Sequence, residues 1–77
     1  MTPRGPFNWT AEDVMRFLKE RDFKHIHTRG SHLFYVGKYG GQFRQVSIPF
    51  HGTRALKPRT LKSIMLQSGI SKDEWLK

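Results

Sequence analysis

Residues 23–49 read FKHIHTRGSHLFYVGKYGGQFRQVSIP, and this stretch decides the fold. It is dense in β-branched and aromatic residues and is interrupted by glycines, the pattern of short strands joined by tight turns. Phe23–Thr28 is the first strand candidate and Arg29-Gly30-Ser31 a turn. His32–Val36 is a continuous apolar-aromatic second strand. Gly37-Lys38-Tyr39-Gly40-Gly41 is a glycine-rich turn of hairpin length. Gln42–Ile48 is the third strand, and Pro49 closes it because proline has no N–H for a ladder. Both sides of the second strand are apolar, so alternation alone does not say which side meets the remaining elements.

Working outward, each flank carries a helix. Thr10 and Asp13 have capping-box spacing, with Asp in place of Glu or Gln, and Trp9 and Val14 fall at the positions of a hydrophobic staple. Val14, Phe17 and Leu18 recur at i, i+3, i+4, which predicts a helix over residues 11–21. Arg16, Lys19 and Glu20 lie off that stripe and form its solvated face. After a polar loop, Pro58 suits a first helical position. Leu61, Ile64 and Met65 make the next stripe, and Gly69 with Ile70 ends it, which predicts a helix over 58–68. Ser71 and Glu74 form another capping box at the head of a short segment over 72–76. The result is an α+β domain of order α-β-β-β-α. Its three-stranded antiparallel sheet has two helices on one face, with a short C-terminal helical turn. Residues 9–77 form this single domain, behind a loose lead-in, residues 1–8, that holds Pro3 and Pro6.

A chain of 77 residues has room for one small domain. Such a domain buries only about 60% of the surface its unfolded chain exposes, so a large enclosed cavity is not expected. Trp9, Trp75, six Phe and two Tyr supply the apolar bulk that argues against disorder. The absence of Cys excludes a disulfide framework, a thiol nucleophile and a Cys-based zinc site, and it suits a reducing cytoplasm. No apolar run approaches the roughly 18 residues of a membrane span. Residues 1–6 lack the apolar stretch of a signal peptide.

Charge narrows the function. The net charge is +8, and the carboxylates are Glu12, Asp13, Glu20, Asp22, Asp73 and Glu74. From Phe23 to Lys72 there is none, while the same stretch holds nine cations and all four histidines. That one-signed field favours a polyanionic partner over a merely soluble basic surface. It also excludes a paired-carboxylate acid/base site within the block.

Lys57, Arg59 and Lys62 surround the start of the second helix with no acid beside them. Cations there oppose the helix dipole, but together with free backbone N–H groups they make a phosphate seat, to which Thr60 adds a hydroxyl. Histidine is the only acid/base residue type in the block. RNA brings its own nucleophile, the 2′-hydroxyl, so an imidazole with cationic stabilisers suffices without metal. His25 and His27, at i and i+2, are expected on one strand face, and no Asp, Glu or Cys stands near to complete a metal site. His51 serves either backbone bonding or a ligand. His32 follows Gly30-Ser31 beside Arg29, and spacing leaves both a structural and a catalytic role open to it.

Arg29-Gly30-Ser31-His32, Val46-Ser47-Ile48-Pro49-Phe50-His51-Gly52, Leu56-Lys57-Pro58-Arg59-Thr60-Leu61-Lys62-Ser63-Ile64-Met65 and Ser68-Gly69-Ile70-Ser71 occur in that order. With their spacing, over about residues 10–76, they closely resemble the HicA family of mRNA interferase toxins of type II toxin–antitoxin systems. The resemblance implies a double-stranded-RNA-binding-like fold and metal-independent, ribosome-independent endonucleolytic cleavage of mRNA, with no cofactor. It implies one functional histidine, which maps onto His32, and inhibition by a HicB antitoxin that covers the active surface. Arg29, Lys38 and Arg44 are then candidates to stabilise phosphate. Lys57, Arg59 and Lys62, with Thr60, hold the RNA backbone, and Ser31 is an RNA contact or second proton partner. Family members often carry glycine where this chain has Arg59. The alternative is a non-catalytic RNA-binding module of the same fold, which reads an RNA helix by shape.

Overall fold

The computed structural model describes residues 8–50 and 52–76. The expected lead-in, apart from Asn8, and the alternatives weighed for His51 lie outside the described residues. Thr10 and Asp13 form the capping box their spacing predicts: the Asp13 N–H donates to the Thr10 hydroxyl at 3.1 Å and the Thr10 N–H to the Asp13 carboxylate at 3.0 Å. They open α1 (Ala11–Lys19). It ends two residues earlier than its periodicity predicts, because Asp22 turns into the left-handed region at φ 68°. The Phe23 N–H then reaches back to the Leu18 carbonyl at 2.9 Å and the Phe23 ring drops into the core.

The chain continues through β1 (Lys24–Arg29), β2 (His32–Tyr39) and β3 (Gln42–Pro49), an antiparallel sheet of order β1-β2-β3. Two expectations are corrected here. The turn predicted over residues 37–41 is only Gly40-Gly41; Gly37-Lys38-Tyr39 continue β2. Gly37 is a strand residue because the Phe23 ring lies against it: an added Cβ would stand 2.5 Å from Phe23 Cγ. His25 and His27 also do not share a face. The ladder slips between them, with His25 opposite Tyr35 and His27 opposite Phe34, so the bulge at Ile26 sends the two imidazoles to opposite sides. His25 lies by the Tyr35 ring, and His27 stacks on Phe34 at 4.6 Å.

The core settles which side of β2 meets the helices. Tyr35 is buried, as are its neighbours Val46 and Ile48, and the alternate residues His32, Phe34, Val36 and Lys38 belong to the other, open face. Above the buried side sit α1 and α2 (Pro58–Ser68); in the loop that leads from β3 into α2, the Leu56 N–H donates to the carbonyl of Trp9, just before α1, at 2.7 Å. Gly69 caps α2, and the buried Ser68 hydroxyl accepts the Ile70 N–H at 3.0 Å. The last element is α3 (Lys72–Trp75). Its predicted Ser71 cap does not form through the Ser71 side chain, while Glu74 accepts a hydrogen bond from Arg21 at 3.0 Å. Trp75 stacks on Phe17 at 3.9 Å and meets Trp9 edge-on, pinning this end of the chain.

Candidate functional site

His32 owes its position to the turn before it. Gly30 takes φ 59° at the first position of a two-residue hairpin loop, as a type II′ turn requires, and Arg29 and His32 pair across it. The Ser31 carbonyl accepts the Phe50 N–H at 2.7 Å, which ties the end of β3 to the turn. His32 is therefore the first residue of β2, exposed, on the open-face side, and opposite Pro49. Its ring has no hydrogen-bond partner among the described residues, so both nitrogens are free to meet a ligand. His25, by contrast, is 2.9 Å from the Thr28 hydroxyl through Nε2.

Facing His32 is one side of α2, from Arg59 to Gln67. A concavity of about 290 Å³ is lined by His32, Ser47, Pro49, Arg59, Thr60, Ser63, Ile64 and Gln67. It is large enough for a phosphate and its sugar and far too small to enclose a duplex. Lys57 occupies the N-cap without a side-chain cap, Pro58 follows, and the first turn holds no acid. The orphan N–H groups of that turn therefore stay available to an anion, beside the Arg59 guanidinium.

Gln67 joins the two walls. Its Oε1 accepts the Ser47 N–H at 2.8 Å and its amide donates to the Ser63 hydroxyl at 3.1 Å. One side chain thus closes an otherwise open β3 edge position and fixes how far α2 stands from it.

The residues expected at the site divide into groups. Arg59 and Thr60 line the concavity with His32, and Arg29 and Ser31 belong to the turn that presents it. Lys57 stands at the helix start. Lys62 borders a different groove, with Met65, Leu66, Gly69 and Ile70. Lys38 lies at the far end of β2, its ammonium 5.7 Å from the Phe43 ring. Arg44 lies across the sheet from it, on the helix side: its guanidinium packs over Gly69, 2.6 Å from where a Cβ there would be. That position complements the carboxyl end of the α2 dipole. Ser47, Ser63 and Gln67 were not expected. Thr60, Ser63 and Gln67 recur at i, i+3, i+7, a polar helix stripe that the sequence does display beside the apolar one.

Among the described residues no three His, Cys, Asp or Glu side chains gather as a metal site, and no helix is long and apolar enough to cross a membrane. Comparison with curated proteins finds no match. The family model described as "HicA toxin of bacterial toxin-antitoxin" matches residues 11–70, from the start of α1 to just past the α2 cap, and so takes in His32 and the whole of the concavity beside it. A cognate antitoxin partner follows from that membership. The α-β-β-β-α order, the open sheet and the match over most of the chain agree: this protein belongs to the HicA toxin family.

Proposed function

We propose that the chain is an endoribonuclease that cleaves mRNA without metal and independently of the ribosome, with His32 as its acid/base residue and a HicB-type antitoxin as its inhibitor in the cytoplasm. The observation that carries this reading is the unencumbered His32 imidazole facing a concavity whose other wall is a basic, uncapped helix start. RNA seated there would place a phosphate against Arg59, Thr60 and the first-turn N–H groups of α2. The imidazole would take the proton of the adjacent 2′-hydroxyl. The 2′-oxygen attacks phosphorus, and the bond to the 5′-oxygen breaks. That oxygen takes a proton from solvent, leaving a 2′,3′-cyclic phosphate and a 5′-hydroxyl. The role of Arg59 would be electrostatic, offsetting the negative charge that grows on the non-bridging oxygens. Arg29 and Lys57 extend the cationic rim, and backbone contacts of this kind position RNA without reading its sequence.

The test is purified protein on a defined single-stranded RNA in the presence of a chelator, with the fragment ends identified. Cyclic phosphate ends support the reading. Cleavage abolished by the chelator contradicts it.

A further inference from the structure

The open face of the sheet carries a row of groups that folding does not explain. Along β2 it presents His32, Phe34, Val36 and Lys38. Phe43 pairs with Lys38 from β3 and remains 81% exposed. Burial drives a phenylalanine inward by roughly 1.5–3 kcal/mol, so one left this bare, one pair from the Gly40-Gly41 turn, contributes little to the core. Phe34 is half-buried, with the His27 ring lying nearly parallel to it at 22°. Each aromatic has a nitrogen base or cation beside it: His27 at Phe34 and Lys38 at Phe43.

We propose that this face is a stacking track for single-stranded RNA that leads away from His32, with Phe34 receiving the nearer base and Phe43 a more distant one. The proposal rests on the ribonuclease reading for its starting point. Charge selects the occupant. No strand carries a carboxylate, and the strand cations that share this face are Lys24, Arg29 and Lys38, while Arg44 turns to the helices. A partner with flat π faces and regular negative charge matches rings on an open face that carries cations and no carboxylate. An RNA duplex does not, because its bases are already stacked on one another. Spacing fits as well. Alternate residues on a strand are about 6.6–6.8 Å apart, so His32, Phe34, Val36 and Lys38 mark three equal strides along about 20 Å. Lys38 then closes the track with an ammonium for a phosphate, beside the ring that takes the base. The track begins at His32, which also borders the concavity, and runs along the open face.

Anisotropy of a labelled single-stranded RNA on the full chain carrying His32→Ala tests this without cleavage of the probe. Phe43→Ala in that background is expected to raise Kd about 5- to 150-fold. Phe43→Trp restores affinity, and the salt dependence of binding stays the same in both, because no charge changes. A 2-aminopurine base placed for the track loses fluorescence on the parent and not on Phe43→Ala. Phe34→Ala gives the same pattern with the base placed nearer the cleavage point. Unchanged affinity and unchanged base fluorescence overturn the proposal. So does a Phe43→Ala variant that keeps RNA affinity but releases the cognate antitoxin, which would make the face a protein interface. The ribonuclease reading fails separately, if the unaltered chain leaves RNA intact while Phe43 still governs binding.

Discussion

Gln67 holds the backbone N–H of Ser47 at 2.8 Å, and this contact sets the distance between α2 and the edge of β3. Because His32 and the α2 start form opposite walls of one concavity, Gln67 governs the site without lining up for chemistry itself. Gln67→Ala removes two hydrogen bonds and leaves a partly buried N–H unpaired, and is expected to destabilise the fold by about 1 kcal/mol. Cleavage should fall through kcat while the pH profile keeps its shape. Gln67→Glu, which still accepts from Ser47, recovers most of the loss. Thermal melts paired with steady-state kinetics check this; wild-type kcat in Gln67→Ala would remove it as a positioning residue.

Gly37→Ala drives a methyl group into the Phe23 ring. Overpacking of this kind costs about 1–3 kcal/mol. Urea unfolding should show that loss, and Phe23→Leu in the Gly37→Ala background should return part of it. A neutral Gly37→Ala would mean that the ring has room to move.

Arg44 and Arg59 separate scaffold from substrate contact. Arg44 packs over Gly69 with its Nε buried and without a hydrogen-bond partner among the described residues, so Arg44→Ala is expected to lower the melting temperature and leave the salt slope of RNA binding unchanged. Arg59→Ala should do the reverse, lowering the slope by about 0.7 for a single-stranded ligand. Binding isotherms over a salt series distinguish the two.

Burial raises the Tyr35 phenol above its ordinary value of 10.0. Folding thus favours the neutral form. The sign follows: the contribution is fully present below pH 10.0 and is lost as pH rises through the higher folded-state value. The unfolding midpoint should decline more steeply on the alkaline side in the parent than in Tyr35→Phe. Parallel profiles would contradict the assignment.

Most of the scaffold is legible in the residues. Thr10 with Asp13, Pro58 with Gly69, and the two apolar stripes fix both long helices, because caps and periodicity are local properties. Structure and local pattern part where a distant partner decides. Gly37 looks like turn chemistry until Phe23 is seen against it, and His25 and His27 look paired until the bulge at Ile26 parts them. At the site, Gly30-Ser31-His32 and the basic α2 start are visible as motifs. Gln67 is not, because its role depends on β3 lying next to α2, a relation between residues 20 apart that spacing does not encode.

The central claim is that the imidazole at the head of β2 moves the proton in RNA cleavage. The most direct measurement compares the unaltered chain and His32→Ala on one defined single-stranded RNA in chelator, following both cleavage and binding. The account predicts a loss of about 10²–10⁴-fold in cleavage rate with affinity for the RNA retained. Equal cleavage by the two proteins would contradict it.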